Sequence, residues 1–324
     1  MHLFSTHSEK VSSRIYSPIS GTPLNKSRVA TIGNFDGVHR GHQAILKQLV
    51  ELAEKVSARA TVITFEPYPE EYFRQKDATA RLTRFEEKYQ LLKHYGVDEI
   101  ACLKFNQRLA DCSAQKFVDD ILLSRLNIQH LIVGDDFKFG HNRQGDYAFL
   151  KKAGALAGFT VTPTTSIREN GKRISSTWVR DALQKAEFNL AKKLMGHEYF
   201  ITARVMHGDK RGRTLGFPTA NLALARKNCV LQGVYAVDAV IESNRVVGVA
   251  NVGMRPTVAG KEPRAEIHFF DFDENLYGKK LTVNFLHKIR NEKKFEQLSE
   301  LTGQIALDCQ IAREFHQRNQ VLQD

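Results

Sequence analysis

The sequence has few cysteines and no long apolar run, and each shortage excludes a class of protein. Its 324 residues include four cysteines, Cys102, Cys112, Cys229 and Cys309, which form neither a CxxC pair nor a cluster with histidine. This spacing excludes a disulfide-stapled scaffold and a zinc finger, and it indicates a reducing compartment. No segment approaches the roughly 18 consecutive apolar residues of a membrane span, and the first residues lack the apolar core of a signal peptide. We therefore expect a cytoplasmic protein that does not bind membranes.

Two common phosphate-binding motifs are also missing, because neither a Walker A loop nor GxGxxG occurs in the chain. Any nucleotide site must therefore bind phosphate through a loop of another kind. What is present is an ordinary globular composition, with 42% hydrophobic residues, 26% charged residues and a formal net charge of +11. The positive surplus suits nucleic acid, an anionic membrane or small phosphorylated ligands, and charge alone does not choose among them.

A change of pattern divides the chain into two domains. The first half alternates short apolar strands with amphipathic helices, which is typical of a parallel sheet with right-handed crossovers. The second half carries alternating runs separated by Gly, Pro, Asn and Asp turns, which predicts an antiparallel barrel or sandwich. We place the division in the charged connector at 186–198, which gives domains 1–186 and 187–324.

Particular segments carry these patterns. The strands predicted in the first half are 29–35, 61–65, 99–105, 130–133 and 159–162. The predicted helices are 43–56, a helix capped by Thr83 and Glu86, 113–126, 146–157, 178–183 and 188–195. The strands predicted in the second half are 233–241, 246–252, 265–270 and 281–285, and a final helix covers 295–318.

The strongest local signal is GNFDGVHRGH, residues 33–42, between the first predicted strand and helix. Its glycines let the backbone approach a ligand, and a helix that begins near His42 aims N–H groups and its positive dipole end at the turn. His39 and His42 are spaced so that both imidazoles can point into the turn and donate hydrogen bonds to nucleotide phosphates. The alternative is a tight glycine-rich turn with two solvent-facing histidines. We predict a phosphate-binding site.

This turn resembles the HxGH turn of the nucleotidylyltransferase superfamily, and its FDG segment is similar to the bacterial bifunctional riboflavin kinase/FAD synthetase family. Blocks similar to that family follow in order along the chain: TFEPYPEE, GDDFKFG, RISSTWVR and GRTLGFPTANL. The resemblance implies a Rossmann-like adenylyltransferase domain, then a Greek-key β-barrel with riboflavin kinase activity and a C-terminal helix. It implies ATP, riboflavin and FMN as substrates and Mg²⁺ in both reactions.

In the first half, the resemblance implies that His39 and His42 are catalytic. It implies nucleotide or flavin contacts for a larger set: Gly33, Asn34, Phe35, Asp36, Gly41, Gly134, Asp136, Arg173, Ser176, Thr177 and Arg180. The residues themselves allow these roles, because GDDFKFG ends a buried strand where open parallel sheets bind ligands. The hydroxyls of Ser176 and Thr177 also precede a helix in which Arg180 follows by one turn. The alternatives are a polar loop and a simple N-cap with a surface arginine.

In the second half, the resemblance implies substrate contacts for Gly212, Arg213 and Arg290. Thr219 and Asn221 carry hard oxygen atoms that suit Mg²⁺. Glu266 stands where the family carries its catalytic glutamate and could accept the proton of a ribityl hydroxyl. The alternatives are a solvated hairpin for the basic loop and a glutamate on the wet face of an alternating strand.

One position departs from the family. TFEPYP places Tyr68 where the family usually has histidine. A phenol is neutral at pH 7, so an imidazolium contribution to ATP binding is lost there. We expect adenylylation to survive with altered nucleotide affinity or rate.

Two other functions stay open. The HxGH turn also resembles that of class I tRNA-charging enzymes, and small barrels often bind RNA. A single tryptophan, no second signature of those enzymes and no long basic run argue against that function. The other alternative is an adenylyltransferase that has lost kinase activity, and the presence of Thr219, Asn221 and Glu266 together argues against the loss. We predict small-molecule partners, no nucleic acid, and a monomer or weak homo-oligomer.

Overall fold

The computed structural model describes residues 13–16, 26–164, 166–207, 216–224, 228–257 and 260–321. Contacts divide the chain into two compact units. The first comprises Met1–Thr79 and Lys88–Ile174, and the second comprises Ala80–Glu87 and Ser175–Asp324. The segment Ala80–Glu87 thus groups with the later part of the chain, which no local sequence pattern indicated.

The first unit is built on a six-stranded sheet of order β1-β4-β3-β2-β5-β6. Its strands are β1 Ser13–Tyr16, β2 Arg28–Ile32, β3 Arg59–Glu66, β4 Glu99–Lys104, β5 Ile128–Val133 and β6 Thr160–Pro163. β2 to β6 pair in parallel, and β1 pairs antiparallel with β4. The predicted parallel sheet is confirmed, and every turn after a parallel strand's carboxyl end opens at one edge, where such sheets bind ligands.

Helices connect these strands. They are α1 Arg40–Lys55, α2 Pro69–Arg74, α3 Phe85–His94, α4 Gln107–Ala110, α5 Ala114–Lys116 and α6 Tyr147–Ala157. A two-stranded hairpin, β7 Arg168–Glu169 and β8 Lys172–Arg173, follows β6. The prediction of one α-helix over 113–126 was wrong in type, because α5 continues as a π-helical segment, Phe117–Arg125.

Of the pair predicted to cap α3, Thr83 and Glu86, the glutamate was wrong. Glu87, not Glu86, turns back on the helix start: its Oε2 accepts from the Arg84 N–H at 2.6 Å. The other oxygen, Oε1, accepts from the Thr202 N–H on the barrel at 2.8 Å. Glu86 forms an ion pair with Lys280 instead. Packing against the barrel decides which glutamate turns inward, and local spacing does not carry that information.

The second unit is a closed antiparallel barrel of order β10-β13-β12-β11-β14-β9. Its strands are β9 Tyr199–Met206, β10 Ala220–Ala223, β11 Gly233–Ile241, β12 Asn244–Thr257, β13 Gly260–Phe269 and β14 Lys280–Arg290. Its helices are α7 Ser176–Gln184, α8 Phe188–Met195 and α9 Leu298–Val321. The barrel and the C-terminal helix are confirmed, and α9 packs on the barrel through Cys309 and Ala312.

Two observations bear on the chain's environment. All four cysteines are free thiols. Among the described residues, no helix is both long enough and apolar enough to cross a membrane.

Candidate active sites

The turn at residues 33–42 joins β2 to α1 and is wound unusually tightly. Phe35, Gly37 and Val38 have φ values of 49°, 80° and 39°. The Gln43 side chain donates to the Val38 carbonyl at 2.8 Å, which holds this conformation. A Cβ at Gly41 would lie 3.2 Å from the His39 ring, so the close packing of ring and backbone favours glycine there. The turn therefore packs closely around the N-terminus of α1, and His39 caps the first turn of that helix.

The two predicted histidines lie together in this turn. Their rings stack with centroids 3.7 Å apart and an interplanar angle of 14°. His39 is the N-cap of α1, and its Nδ1 accepts from the His42 N–H at 3.3 Å. That bond places the proton of a neutral His39 on Nε2. His42 Nδ1 is shielded from solvent and has no hydrogen-bond partner among the described residues.

Positive charge surrounds His42. Burial, and then the charges of His39, Lys88 and Arg173, hold the pKa of His42 well below its ordinary value of 6.5. His42 is therefore neutral at pH 7. A bound triphosphate would offset the charges of Lys88 and Arg173 and make protonation of His42 easier. The site suits an anion whose charge grows during a reaction.

Lys88 is a residue of this site that sequence reasoning missed. Its side chain is fully buried, and Nζ donates to the Asn34 carbonyl at 3.0 Å and to Thr64 Oγ1 at 2.9 Å. A signal was present, because Lys88 lies three residues after Phe85 and four before Leu92, on the apolar side of the predicted helix. A lysine at such a position indicates a buried charge with a specific partner.

Tyr68, the departure from the family, is built into the same network. Its hydroxyl donates to Asp36 Oδ1 at 3.4 Å and accepts from Lys88 Nζ at 3.5 Å. Lys88 Nζ also lies 4.7 Å from the centre of the Tyr68 ring, within cation–π range. Tyr68 is only 5% exposed. It therefore links Lys88 to the turn and does not face solvent as a free ligand group.

The GDDFKFG segment follows β5 at the same edge of the sheet. A Cβ at Gly134 would lie 2.6 Å from Asp136 Oδ1, which explains glycine there. Asp136 Oδ2 accepts from Arg173 Nη1 at 2.9 Å, so two of the predicted binding residues pair with each other on an exposed surface. Arg40 of the turn pairs with Glu169 of the hairpin at 3.0 Å. The hairpin β7–β8 thus forms ion pairs with both the 33–42 turn and the GDDFKFG segment.

An aromatic cluster at the carboxyl ends of β3 and β4 was also missed. The ring of Phe105 lies 6.0 Å from Phe65, 5.4 Å from Tyr72 and 5.7 Å from Phe73, measured between centroids. Phe73 is 66% exposed. An exposed aromatic surface beside a ligand edge suits a planar ring system. Its members come from three separate segments, so no single stretch of sequence marks it.

Ser176, Thr177 and Arg180 of the RISSTWVR segment, which were predicted to contact substrate, lie in the second unit. Ser175 caps α7 by accepting from the Trp178 N–H at 3.3 Å, so Ser176 and Thr177 are the first two residues of the helix. Arg180 Nε donates to the Ala80 carbonyl at 2.6 Å and anchors the segment Ala80–Glu87. Arg180 thus has a structural contact in addition to the binding role predicted for it.

On the barrel, three polar residues form a row across neighbouring strands. Asn221 on β10 lies opposite Glu266 on β13, which lies opposite Asn251 on β12. Directly opposite residues share one face of a sheet, so these side chains are neighbours. The side chain of Asn221 donates to the Thr219 carbonyl at 3.4 Å, which leaves its amide oxygen for another partner. Asn251 was not predicted, although it is polar within the apolar run 246–252.

Glu266 points away from the barrel interior, because its neighbours Ala265 and Ile267 are buried. Arg255 donates to Glu266 Oε1 from Nη2 at 2.8 Å and from Nε at 3.2 Å. Both contacts use one oxygen, and Oε2 accepts no hydrogen bond from the described residues. The carboxylate is therefore held at one side and open at the other.

The barrel unit has two cavities near these strands. One of about 280 Å³ is lined by Thr219 and Asn221 together with the carboxylates of Asp273 and Glu274. The other, about 510 Å³, is lined by Phe217, His268 and Phe270 of the barrel and by residues of α9. The first offers oxygen donors, and the second offers aromatic surface.

The remaining predicted residues of the barrel unit are Arg290, Gly212 and Arg213. Arg290 makes a bidentate ion pair with Asp308 of α9, with Nη2 to Oδ2 at 2.7 Å and Nε to Oδ1 at 2.9 Å. This contact fastens β14 to α9. Gly212 and Arg213 lie outside the described residues.

Comparisons with known proteins match both halves of the chain. A family model for FAD synthetase matches residues 22–178, and one for riboflavin kinase matches residues 195–316. A bifunctional riboflavin kinase/FMN adenylyltransferase of Escherichia coli K12 is 48% identical over 89% of this chain and 92% of its own length. A protein of the same description from Pseudomonas fluorescens is 48% identical over 90% of this chain and 94% of its own.

A solved structure described as a macrolide-efflux protein from Streptococcus pneumoniae is also similar. It is 31% identical, covers 90% of this chain and 95% of its own, and has a TM-score of 0.74. We use this likeness for the fold alone. Since two family models and relatives of 48% identity cover most of the sequence, the chain belongs to the bifunctional riboflavin kinase/FMN adenylyltransferase family, which phosphorylates riboflavin to FMN and adenylylates FMN to FAD.

Proposed function

We propose that the 33–42 turn performs the adenylyl transfer and that the barrel face around Glu266 performs the riboflavin phosphorylation. The observation that carries the first assignment is the stacked pair of His39 and His42 at the N-terminus of α1, with Lys88 and Arg173 nearby. A phosphate oxygen of FMN attacks the α-phosphorus of ATP, a new P–O bond forms, and pyrophosphate leaves. The protein needs no nucleophile of its own.

In this reaction the chain supplies position and charge. His39 offers its Nε2 proton, and backbone N–H groups at the start of α1 face the same anion. His42 accepts a proton more readily as negative charge develops, because that charge offsets the positive neighbours that hold it neutral. The predicted ligands Gly33, Phe35 and Gly41 contribute backbone that lies close to the phosphates.

The aromatic cluster supports FMN as the second substrate of this site. Phe65, Phe105, Tyr72 and Phe73 lie where β3 and β4 end, at the same edge as the turn. An isoalloxazine ring stacked on Phe73 would be held near the turn and would bury its exposed surface. This surface favours a flavin phosphate over a small unbranched phosphate.

On the barrel, Glu266 is the general base in our assignment. Its open Oε2 accepts the proton of the ribityl hydroxyl while that oxygen attacks the γ-phosphorus of ATP, and ADP leaves. Thr219 and Asn221 bind the nucleotide side from the smaller cavity, and the aromatic cavity by Phe217 takes the flavin side. We keep Gly212, Arg213 and Arg290 as proposed substrate contacts.

We further propose that Mg²⁺ serves both reactions. The donors in the smaller cavity fit it, because the Thr219 hydroxyl, the Asn221 amide oxygen and the carboxylates of Asp273 and Glu274 are all hard oxygen ligands. No group of three or more His, Cys, Asp or Glu residues that could hold a metal occurs within the described ranges. Mg²⁺ retains waters and uses substrate phosphates, so a sparse protein ligand set suits it. When bound, it neutralises phosphate charge.

We propose functional domains at 1–186 and 187–324, which the limits of the two family models support. We propose a cytoplasmic location, supported by the free thiols and the use of ATP. We also propose a monomer or weak homo-oligomer that does not bind nucleic acid.

One assay tests the assignment of the two sites. The chain is incubated with riboflavin, ATP and Mg²⁺, and the flavins are separated by chromatography. Wild type should form FMN and then FAD, and His42→Ala should accumulate FMN with FAD formation reduced by about 10² to 10³-fold. Loss of both products in a folded His42→Ala variant would contradict separate sites, and undiminished FAD formation would contradict the turn assignment.

A further inference from the structure

Lys88 is fully buried beside the 33–42 turn, and in the reaction proposed above it is only a nearby positive charge with no specific role. Burying an ammonium group is costly unless it is closely paired. The position itself does not require a charge, because Lys88 lies on the apolar side of α3 between Phe85 and Leu92, where leucine or methionine would pack. A lysine at this place therefore indicates a role for the charge or for its hydrogen bonds.

The contacts of Lys88 lead directly into the turn. One bond goes to the Asn34 carbonyl at 3.0 Å, and Asn34 immediately follows the glycine that ends β2. A second goes to Thr64 Oγ1 on β3 at 2.9 Å. The third, at 3.5 Å, reaches the Tyr68 hydroxyl, which continues to Asp36 on the far side of the turn. One side chain thus connects the turn to Thr64 on β3 and to Tyr68 at the start of α2.

We propose that Lys88 is a positioning residue for adenylyl transfer, which holds the carbonyl of Asn34 and maintains positive potential around His42. This rests on the assignment of the 33–42 turn to that reaction. The charged and titratable groups that act at His42 are His39 in the turn, Lys88 on α3 and Arg173 on β8, with Asp36 reached through Tyr68. Of these, Lys88 is the cation that also bonds to the backbone of the turn.

The test compares two lysines of one helix. Lys93 also lies on α3 and donates to two backbone carbonyls, those of Val97 at 2.6 Å and Asp98 at 3.3 Å, at the end of the helix away from the turn. Lys88→Met and Lys93→Met each remove one ammonium group from a lysine that bonds to carbonyls. We expect Lys88→Met to lower kcat for FAD formation from supplied FMN by about 10²-fold, as a displaced reacting group does, with a smaller change in KM. Lys93→Met should leave kcat unchanged.

The pH profile separates positioning from mere stability. Without Lys88, the pKa of His42 should rise towards its ordinary value of 6.5. The acid limb of the kcat profile should then move to higher pH in Lys88→Met and stay in place in Lys93→Met. Riboflavin phosphorylation should be normal in both. A kcat within about threefold of wild type, together with an unmoved profile, would overturn the proposal. A tenfold change in kcat corresponds to only about 1.4 kcal/mol, so a change smaller than that does not indicate a displaced reacting group.

If Lys88→Met does not fold, Thr64→Val tests the same point. It removes one acceptor of the ammonium, keeps the shape of the side chain and leaves the charge of Lys88 in place, so a smaller loss of kcat with an unmoved pH profile is expected. Unchanged kinetics in Thr64→Val would overturn the proposal. Failure of the turn assignment is distinguishable, because His42→Ala would then retain FAD formation, whereas failure of the Lys88 proposal alone leaves His42→Ala inactive.

Discussion

Arg255 and Glu266 form an ion pair between neighbouring strands of the barrel, with Arg255 Nη2 2.8 Å from Glu266 Oε1. Arg255 also uses Nε on the same oxygen, at 3.2 Å. Because one guanidinium holds one carboxylate oxygen through two donors, the direction of the other oxygen is restricted. The proposed role of Glu266 as general base rests on the other oxygen, Oε2, and removal of the carboxylate tests it.

Glu266→Gln should lower kcat for FMN formation by about 10² to 10⁴-fold, because the amide keeps the size of the side chain and cannot accept the proton. Adenylylation of supplied FMN should be unchanged. The control is Glu242→Gln, which alters an exposed barrel glutamate paired with Lys279. Steady-state kinetics with riboflavin and FMN offered separately decides the matter. A near-normal kinase kcat would make Glu266 an ordinary surface glutamate.

Tyr68→Phe should leave FAD formation measurable and weaken it modestly. The change removes the hydroxyl between Lys88 and Asp36 and retains the ring, so the cation–π contact survives. Each lost hydrogen bond costs about 0.5 to 1.5 kcal/mol, and we expect the melting temperature and the affinity for ATP to fall together. Calorimetry and the ATP dependence of FAD formation measure both. Complete loss of activity would show that the hydroxyl is required for the reaction.

Asp308→Asn should destabilise the barrel unit by about 3 kcal/mol, because it leaves Arg290 beside a buried group that no longer carries charge. The Asp308 side chain is 4% exposed and that of Arg290 is 22% exposed. The single tryptophan, Trp178, lies on α7 in the same unit, so its fluorescence in a urea titration reports the unfolding of that unit. Asp271→Asn is the matched control, since Asp271 pairs with Arg313 at an exposed site. Equal losses in the two variants would contradict the prediction.

The stability of the barrel unit should fall as the pH decreases below about 6.5. Burial, and then the charge of Arg245, lower the pKa of His316, and Asp238 opposes them. The unfolded chain then binds a proton that the folded chain does not, so between the folded pKa and 6.5 the free energy of unfolding rises with pH by about 1.4 kcal/mol per pH unit. His316→Met should reduce this slope. Urea titrations from pH 7.5 to 5 measure it, and an unchanged slope would refute the assignment.

Ligand class can be tested by thermal shift. Riboflavin, FMN or ATP with Mg²⁺ should raise the melting temperature, since a ligand at 100 times its Kd stabilises the folded state by about 2.7 kcal/mol. Transfer RNA and duplex DNA should bind weakly, with an affinity that falls steeply as salt increases. Tight, salt-resistant RNA binding without any flavin effect would falsify the proposed absence of nucleic-acid binding.

Much of the fold follows from local periodicity. The parallel strands of the first unit and the four predicted barrel runs were found because each buries a regular set of side chains. His39 and His42 were found for a related reason: both lie on one short turn, and glycines and histidines three residues apart determine their common direction. A binding site contained in ten consecutive residues can be predicted from those residues alone.

The contacts between residues distant in sequence were determined by tertiary packing alone. Lys88 reaches Asn34, and Asn251 adjoins Glu266, only because separate strands and helices meet in a particular register. Phe65, Phe73 and Phe105 form a surface only where two strands end side by side. Arg255 and Glu266 pair because β12 and β13 are aligned so that their side chains share a face. Sequence determined most of the elements, the two-part organisation and the histidine turn; long-range register determined which charges are paired.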